Sequence, residues 1–295
     1  MSKINLVYWN QPNFGDLLSP YIVSKLSGEK IQYKRGVASL RYSRKEIIQL
    51  IKSKDWDGLK EMLFNWQNSI VAVGSIINLG NSKSKVWGAG FMNSEQPFPG
   101  SKLYAVRGHY TREKLRSMGF NPCAVVGDPA LLLPIIHKIT PPELNNINIL
   151  ICIIPHWTEV DYFKERFGNK YTIIDFRTTK IEPTIEKIVN NNIILSTSLH
   201  GIIVAHAYGI PCIWIKKGYI HTDGIKFKDY FSSVGIQEYN GFTDIDSILQ
   251  SQESVIEFFS RHKDISLPDR ERIKDIQVNL LKVAPFKLLP AYRHL

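Results

Sequence analysis

The chain is poor in cysteine, and its three cysteines are not spaced to act together. Cys123, Cys152 and Cys212 form an odd set without a Cys-x-x-Cys pair, and each lies in or beside an apolar, strand-like run. That pattern reads as buried free thiols and excludes a disulfide framework or a zinc ribbon. Long apolar runs are also missing. The two longest, near 130–136 and 147–155, fall well short of the ~20 residues a membrane-spanning helix needs. The opening strand-like stretch, 4–9, is followed by no small-residue cleavage site, so no signal peptide is expected. Asn-x-Ser/Thr sequons are absent. These absences make the cytoplasm the expected address. No Gly-x-x-x-x-Gly-Lys-Ser/Thr loop occurs, and Gly88-Ala89-Gly90 lacks the third glycine of a dinucleotide fingerprint, which argues against P-loop and NAD-type sites. His200 and His206 do not have the i, i+4 spacing of a zinc helix, and no other His, Cys, Asp or Glu group has ligand spacing. No metal and no resident cofactor are expected.

What is present is ordinary globular material: 295 residues, 44% hydrophobic and 22% charged, enough for one large domain or two smaller ones. The net charge of +10 is concentrated. Nine of the Lys and Arg residues fall between Lys25 and Lys54, opposed there by only Glu29 and Glu46. Such a segment suits an anionic partner, a phosphorylated substrate or an acidic membrane face, or it serves as a solubilising surface. Nucleic acid is not an expected partner, because no nucleic-acid fold signature accompanies the charge.

Short β-rich runs alternate with helical patterns along the chain, which predicts α/β architecture with largely parallel sheets. In the first half, strands are predicted at 4–9, 31–34, 69–73, 85–88, 102–106 and 123–126, with helices at 16–27, 44–53, 56–66 and 109–118. Prolines 129, 134, 141 and 142 interrupt the rhythm, and 129–146 reads as the crossover between domains. The pattern restarts with strands at 147–154, 171–175, 193–196 and 212–215. Helices are predicted at 158–167, at 182–191 and after His200, and again near 226–233, 243–261 and 268–283. Two Rossmann-like domains, 1–140 and 141–295, facing across a cleft are therefore expected, with ligands bound at strand carboxyl ends.

Three segments place reactive residues at such ends. Asn13-Phe14-Gly15-Asp16 joins the first strand to a helix start, where free backbone N–H groups favour anions, although an ordinary strand-to-helix turn looks similar. Arg107 ends the strand at 102–106, where a guanidinium can hold a carboxylate or phosphate through paired hydrogen bonds. The strongest signal is the buried strand that empties into Ser196-Thr197-Ser198-Leu199-His200-Gly201 at a helix start. Hydroxyls and N–H groups there can hold phosphate oxygens, and His200 can move a proton. Its bland alternative is a structural helix-capping histidine. His206 reads as a core or supporting residue. Lys226 and Lys228 can bring positive charge to the cleft, although surface lysines on a helix look the same.

The order Asn13-Phe14-Gly15-Asp16, Val106-Arg107, Gly127-Asp128-Pro129-Ala130, Ser198-Leu199-His200-Gly201 with Ala205 and Gly209-Ile210-Pro211, then Lys226-Phe227-Lys228-Asp229-Tyr230 resembles the polysaccharide pyruvyl transferase family over roughly 5–235. The resemblance implies a GT-B-like fold of two Rossmann-like domains, with phosphoenolpyruvate as co-substrate and a sugar of a polysaccharide or lipid-linked oligosaccharide as acceptor. It also implies that His200 and Arg107 are catalytic and that Lys226 binds donor. Asn13, Gly15, Asp16, Ser196, Thr197, Ser198, Leu199 and Gly201 are the remaining expected substrate-binding positions. Family members often follow the arginine with a serine or an acidic residue. Here Gly108-His109 follows, which adds His109 as a candidate near the donor. Rival expectations are a glycosyltransferase of the same architecture using a sugar nucleotide and a non-catalytic glycan-binding module. The first domain, which carries the basic segment, is the expected acceptor side, with peripheral contact to the inner membrane face.

Overall fold

The computed structural model describes residues 3–36, 44–54, 56, 68–141, 149–218 and 222–293. Most of the helix predicted at 56–66 therefore lies outside the described residues, as does part of the basic segment. Two all-parallel sheets carry the fold. The first has the order β2-β1-β3-β4-β5, built from Lys3–Val7 (β1), Lys30–Lys34 (β2), Ile70–Val71 (β3), Lys85–Trp87 (β4) and Lys102–Ala105 (β5). The second has the order β7-β6-β8-β9, from Ile151–Ile154 (β6), Thr172–Ile173 (β7), Ile193–Ser196 (β8) and Cys212–Trp214 (β9). Strands β6, β8 and β9 are buried at every position, as expected of short β-branched runs covered by helices on both faces. The predicted strand at 123–126 reduces to a single bridge, Val106 to Val126.

The helices of the first half are Phe14–Ser27 (α1), Arg44–Lys52 (α2) and His109–Ser117 (α3), followed by the short Leu133–Ile136 (α4). In the second half come Val160–Phe167 (α5), Ile181–Val189 (α6), Leu199–Ala207 (α7) and Ile225–Val234 (α8). Then follow Ile245–Ile248 (α9), Gln252–Arg261 (α10), Lys263–Ser266 (α11) and Arg270–Lys282 (α12). Helix α7 is apolar on nearly every side and almost wholly buried. His206 on α7 is core: its ring faces Tyr230 Oη at 3.0 Å and the carbonyls of Cys212 and Ser266. The single helix predicted over 243–261 is broken, because Ser251 caps α10 by accepting from the Ser254 N–H.

The proline-rich stretch after Gly127, read as the crossover between domains, is packed inside the fold where it is described. Asp128 caps a tight turn at Pro129–Leu132 by accepting the Ala130 N–H, and prolines stand at the first turns of this element and of α4, where no amide donor is needed. Ala130, Leu131, Leu132 and Leu133 are all fully buried against α1, α7 and α12. This apolar run joins the two halves into one core.

The carboxy-terminal segment returns to the first sheet. Trp87 Nε1 donates to the Leu280 carbonyl at 2.9 Å, and the Leu289 N–H donates to the Leu26 carbonyl at 2.8 Å. Further contacts cross the cleft from α1. The Phe14 N–H donates to the Phe176 carbonyl at 2.8 Å, and Tyr21 and Lys25 both reach Glu182.

Candidate active site

A cavity of about 420 Å³ lies between the domains, at the carboxyl ends of both sheets. Three helix starts face it. Asn13, the N-cap of α1, lines it together with Asp16 of the first turn. Ser198, the N-cap of α7, lines it with Leu199 and His200. Lys226, in the first turn of α8, completes the group. Each start turns the positive end of its helix dipole toward the same space, although the Phe14 and Gly15 N–H groups of α1 and the Ile225 N–H of α8 already donate to the Phe176 carbonyl, Asn13 Oδ1 and Asp223 Oδ1. Asn13 and Ser198 are 185 positions apart in the chain and Ser198 and Lys226 28, and parallel topology brings them together because each follows a strand end.

His200 rests on Gly15. A β-carbon at Gly15 would stand 2.2 Å from Nδ1 of the imidazole, so glycine is required there for the two domains to approach. The Nε2 atom is buried and has no hydrogen-bond partner among the described residues. Burial, with the charges of Lys226 and Arg107 adding to it, lowers the imidazole to about 3 and keeps it neutral near pH 7. Burial also pushes Asp16 up to about 7, against the pull of Lys226. Lys226 is lowered to about 8 by burial and then Arg107, while Asp16 and Glu159 act in the opposite sense. Three groups of the cavity thus have protonation equilibria displaced from their ordinary ranges.

The expected substrate contacts of the Ser196-Thr197-Ser198 run separate into two kinds. The Ser196 hydroxyl donates toward the Ile154 and Ser198 carbonyls and accepts the Ser198 N–H, so it holds the turn shape. Thr197 donates to Glu159 and accepts the His156 N–H. Only Ser198 of the three lines the cavity. Gly201 is not on the wall either; it gives room for α7 to pack on Ser196 and Ile154.

Arg107 departs from its expected place. It is fully buried behind the wall, and its guanidinium is occupied. Nε donates to Asp229 Oδ2 at 2.9 Å, Nη1 to Ser75 Oγ at 2.6 Å and Nη2 to the Phe91 carbonyl at 2.7 Å. Asp229 is buried too and also accepts the N–H and hydroxyl of Thr111. Arg107 therefore fixes Ser75, which does line the cavity, and ties α3 to α8, the helix carrying Lys226. Gly108 permits that junction: a β-carbon there would lie 1.7 Å from the Asp229 carbonyl oxygen. His109 likewise stays outside the cavity. Its N–H donates to Ser232 Oγ at 3.0 Å, its Nδ1 is buried without a partner among the described residues, and burial followed by Arg112 lowers its basicity.

Several wall residues carried no sequence signal: Trp9, Ser75, Asn78, Gln96, His156 and Trp157. For Asp229 the motif Lys226-Phe227-Lys228-Asp229-Tyr230 contained the residue, but nothing in it showed that Arg107 would be its partner.

Comparison with known proteins agrees with this architecture. A 183-residue segment is 31% identical to "Uncharacterized protein L143" of Acanthamoeba polyphaga mimivirus, covering 59% of this chain and 62% of that protein. The match thus spans less than two thirds of that relative's length. The crystal structure of UDP-GlcNAc 2-epimerase from Neisseria meningitidis, bound to UDP-GlcNAc, superposes with a TM-score of 0.50 over 95% of this chain and all of that one, at 12% identity. That likeness concerns the fold: two Rossmann-like domains in a GT-B-like arrangement. The model of the polysaccharide pyruvyl transferases matches residues 13–216, from the N-cap of α1 to just beyond β9 and across both sheets, and the chain belongs to that family.

Proposed function

We propose that the protein transfers the pyruvyl unit of phosphoenolpyruvate onto two hydroxyls of a glycan sugar, forming a ketal and releasing phosphate. The observation that supports this most directly is the meeting of three helix starts, Lys226 and a His200 Nε2 without a partner among the described residues in one cavity. Such a wall suits a small ligand with two anionic ends, a phosphate and a carboxylate. A first sugar hydroxyl adds to the central donor carbon while the methylene carbon takes a proton. Phosphate then leaves, and a second hydroxyl of the same sugar closes the ketal, its proton going to phosphate. Neutral His200 is suited to accept a hydroxyl proton. Donor charge beside it raises its basicity, so that it can return a proton later in the cycle. Asp16, set near its own midpoint at pH 7, is the other carrier. The proposed setting is the cytoplasm.

The test is a thermal-shift titration with phosphoenolpyruvate against UDP-sugars. A concentration-dependent rise with phosphoenolpyruvate is expected, and a rise with UDP-sugars alone would overturn the reading in favour of glycosyl transfer. Its pH dependence follows from Lys226. Above the phosphate's second ionisation near ~6, donor charge is constant. Lys226 loses its proton as pH rises through about 8, so donor affinity should fall between pH 7 and 9. Lys226→Met should be weaker throughout and lose the part of the decline centred near 8, keeping the part that Asp16 causes as it ionises.

A second reading concerns location. On α2 and just beyond it, Ile48, Ile51 and Trp56 are 51%, 55% and 64% exposed and lie among Lys52 and Lys54. No helix among the described residues is long and apolar enough to cross a membrane. Apolar side chains interleaved with lysine suit the surface of an anionic bilayer. Vesicle pelleting should increase with anionic lipid and weaken with salt; pelleting indifferent to both would remove this reading.

A further inference from the structure

Two exposed tryptophans occupy equivalent places in the two domains. Trp9 follows β1 and Trp157 follows β6, so each lies just past the carboxyl end of a central strand of its sheet. Both line the cavity, and each is 41% exposed. Their ring centroids are 5.8 Å apart with planes inclined by 50°, an angled pair that spans the cleft. The donor chemistry leaves them unused. Phosphate and carboxylate call for cations and N–H groups, which the same cavity supplies through Lys226 and the start of α7.

An apolar indole pair kept partly open to water beside a polar cavity calls for a ligand with one apolar face. A pyranose ring is such a ligand, with C–H bonds over one face and hydroxyls around its edge. Asn78 and Gln96 line the same cavity, and the Asn78 amide and the Gln96 NH2, whose oxygen accepts the Met92 N–H, are available to those hydroxyls. A linear polyol has similar hydroxyls and no comparable face.

We propose that Trp9 and Trp157 form the acceptor subsite, a platform on which one pyranose ring packs its C–H face and turns its hydroxyls toward His200. Sugar binding here is independent of the donor; only the ensuing ketal formation rests on the transfer reading above. Because one indole comes from each domain, the acceptor itself bridges the cleft, and its binding depends on the relative position of the two sheets.

The experiment is saturation-transfer NMR and fluorescence titration of the full chain with methyl hexopyranosides, with sorbitol as the faceless control. The wild type and Trp56→Ala are expected to bind at least one pyranoside, with transfer from aromatic protons to ring C–H protons, and to ignore sorbitol. Trp9→Ala and Trp157→Ala should each lose about ten-fold in affinity, and Trp9→Phe and Trp157→Phe should recover part of it. The phosphoenolpyruvate thermal shift should be unchanged in all of them. Pyranoside binding equal to wild type in both alanine variants, or equal response to sorbitol, would overturn the platform. Phenylalanine variants that keep the phosphoenolpyruvate shift but bind no better than the alanine variants would also count against it. A missing phosphoenolpyruvate shift in the wild type would count against the donor assignment alone.

Discussion

Replacing His200 with alanine is expected to lower kcat for pyruvyl transfer by about 10²–10⁴-fold, the range of general acid–base assistance, while the donor thermal shift persists. Single-turnover assays with phosphoenolpyruvate and the best acceptor pyranoside measure it, and turnover within about ten-fold of wild type would exclude His200 from proton transfer. The pH profile separates a chemical role from a packing one. In the free protein the imidazole titrates near 3, so His200 sets no limb of kcat/KM between pH 5 and 8. Asp16, near 7, and Lys226, near 8, are the cavity groups that do, and Asp16→Asn should remove the lower of the two ionisations.

Folding stability gives an independent check on the same histidine. Its folded value lies below the ordinary one of ~6.5, so between about 3 and that value the unfolded chain binds more protons than the folded one. Stability therefore falls as pH falls through that window, and His200→Ala should lose less stability on acidification than wild type does.

Arg107→Met should be the most destabilising single change in the first domain, costing about 3–5 kcal/mol, because it leaves Asp229 buried without its cation. Both side chains are essentially sealed, at 1% and 0% exposure, so solvent cannot compensate. Denaturant melts read this directly, and a loss below about 1 kcal/mol would show that Thr111 alone satisfies Asp229. The double variant Arg107→Met/Asp229→Leu should regain much of the loss, since replacing a buried pair with apolar groups is far less costly than breaking it. Arg107 holds Ser75 and α8, so a milder Arg107→Lys should affect donor affinity through the placement of Lys226 more than it affects the chemical step.

The sequence by itself determined the alternation of strands and helices. Runs such as Ile151–Ile154 and Ile193–Ser196 are short, isoleucine-rich and almost wholly apolar, the composition of a strand buried on both faces. It also marked His200 and Asp16 as cavity groups, because a polar residue soon after such a strand lies at the sheet's carboxyl edge, whereas Lys226, in a helix well beyond β9, read equally as a surface lysine. What it left open depends on which partner each polar atom meets, and those partners lie far apart in the chain. Arg107 at a strand end reads as a ligand until Asp229, 122 residues on, takes its guanidinium. Ser196 and Thr197 read as phosphate ligands until Ile154, His156 and Glu159 take their hydroxyls. The prolines after Gly127 read as a crossover between domains, and what the pattern did not show is that Ala130, Leu131, Leu132 and Leu133 within it are buried in the shared core. Local pattern sets where an element runs and which end is reactive. Satisfaction of buried hydrogen bonds, a property of the packed whole, decided which reactive groups face the substrate.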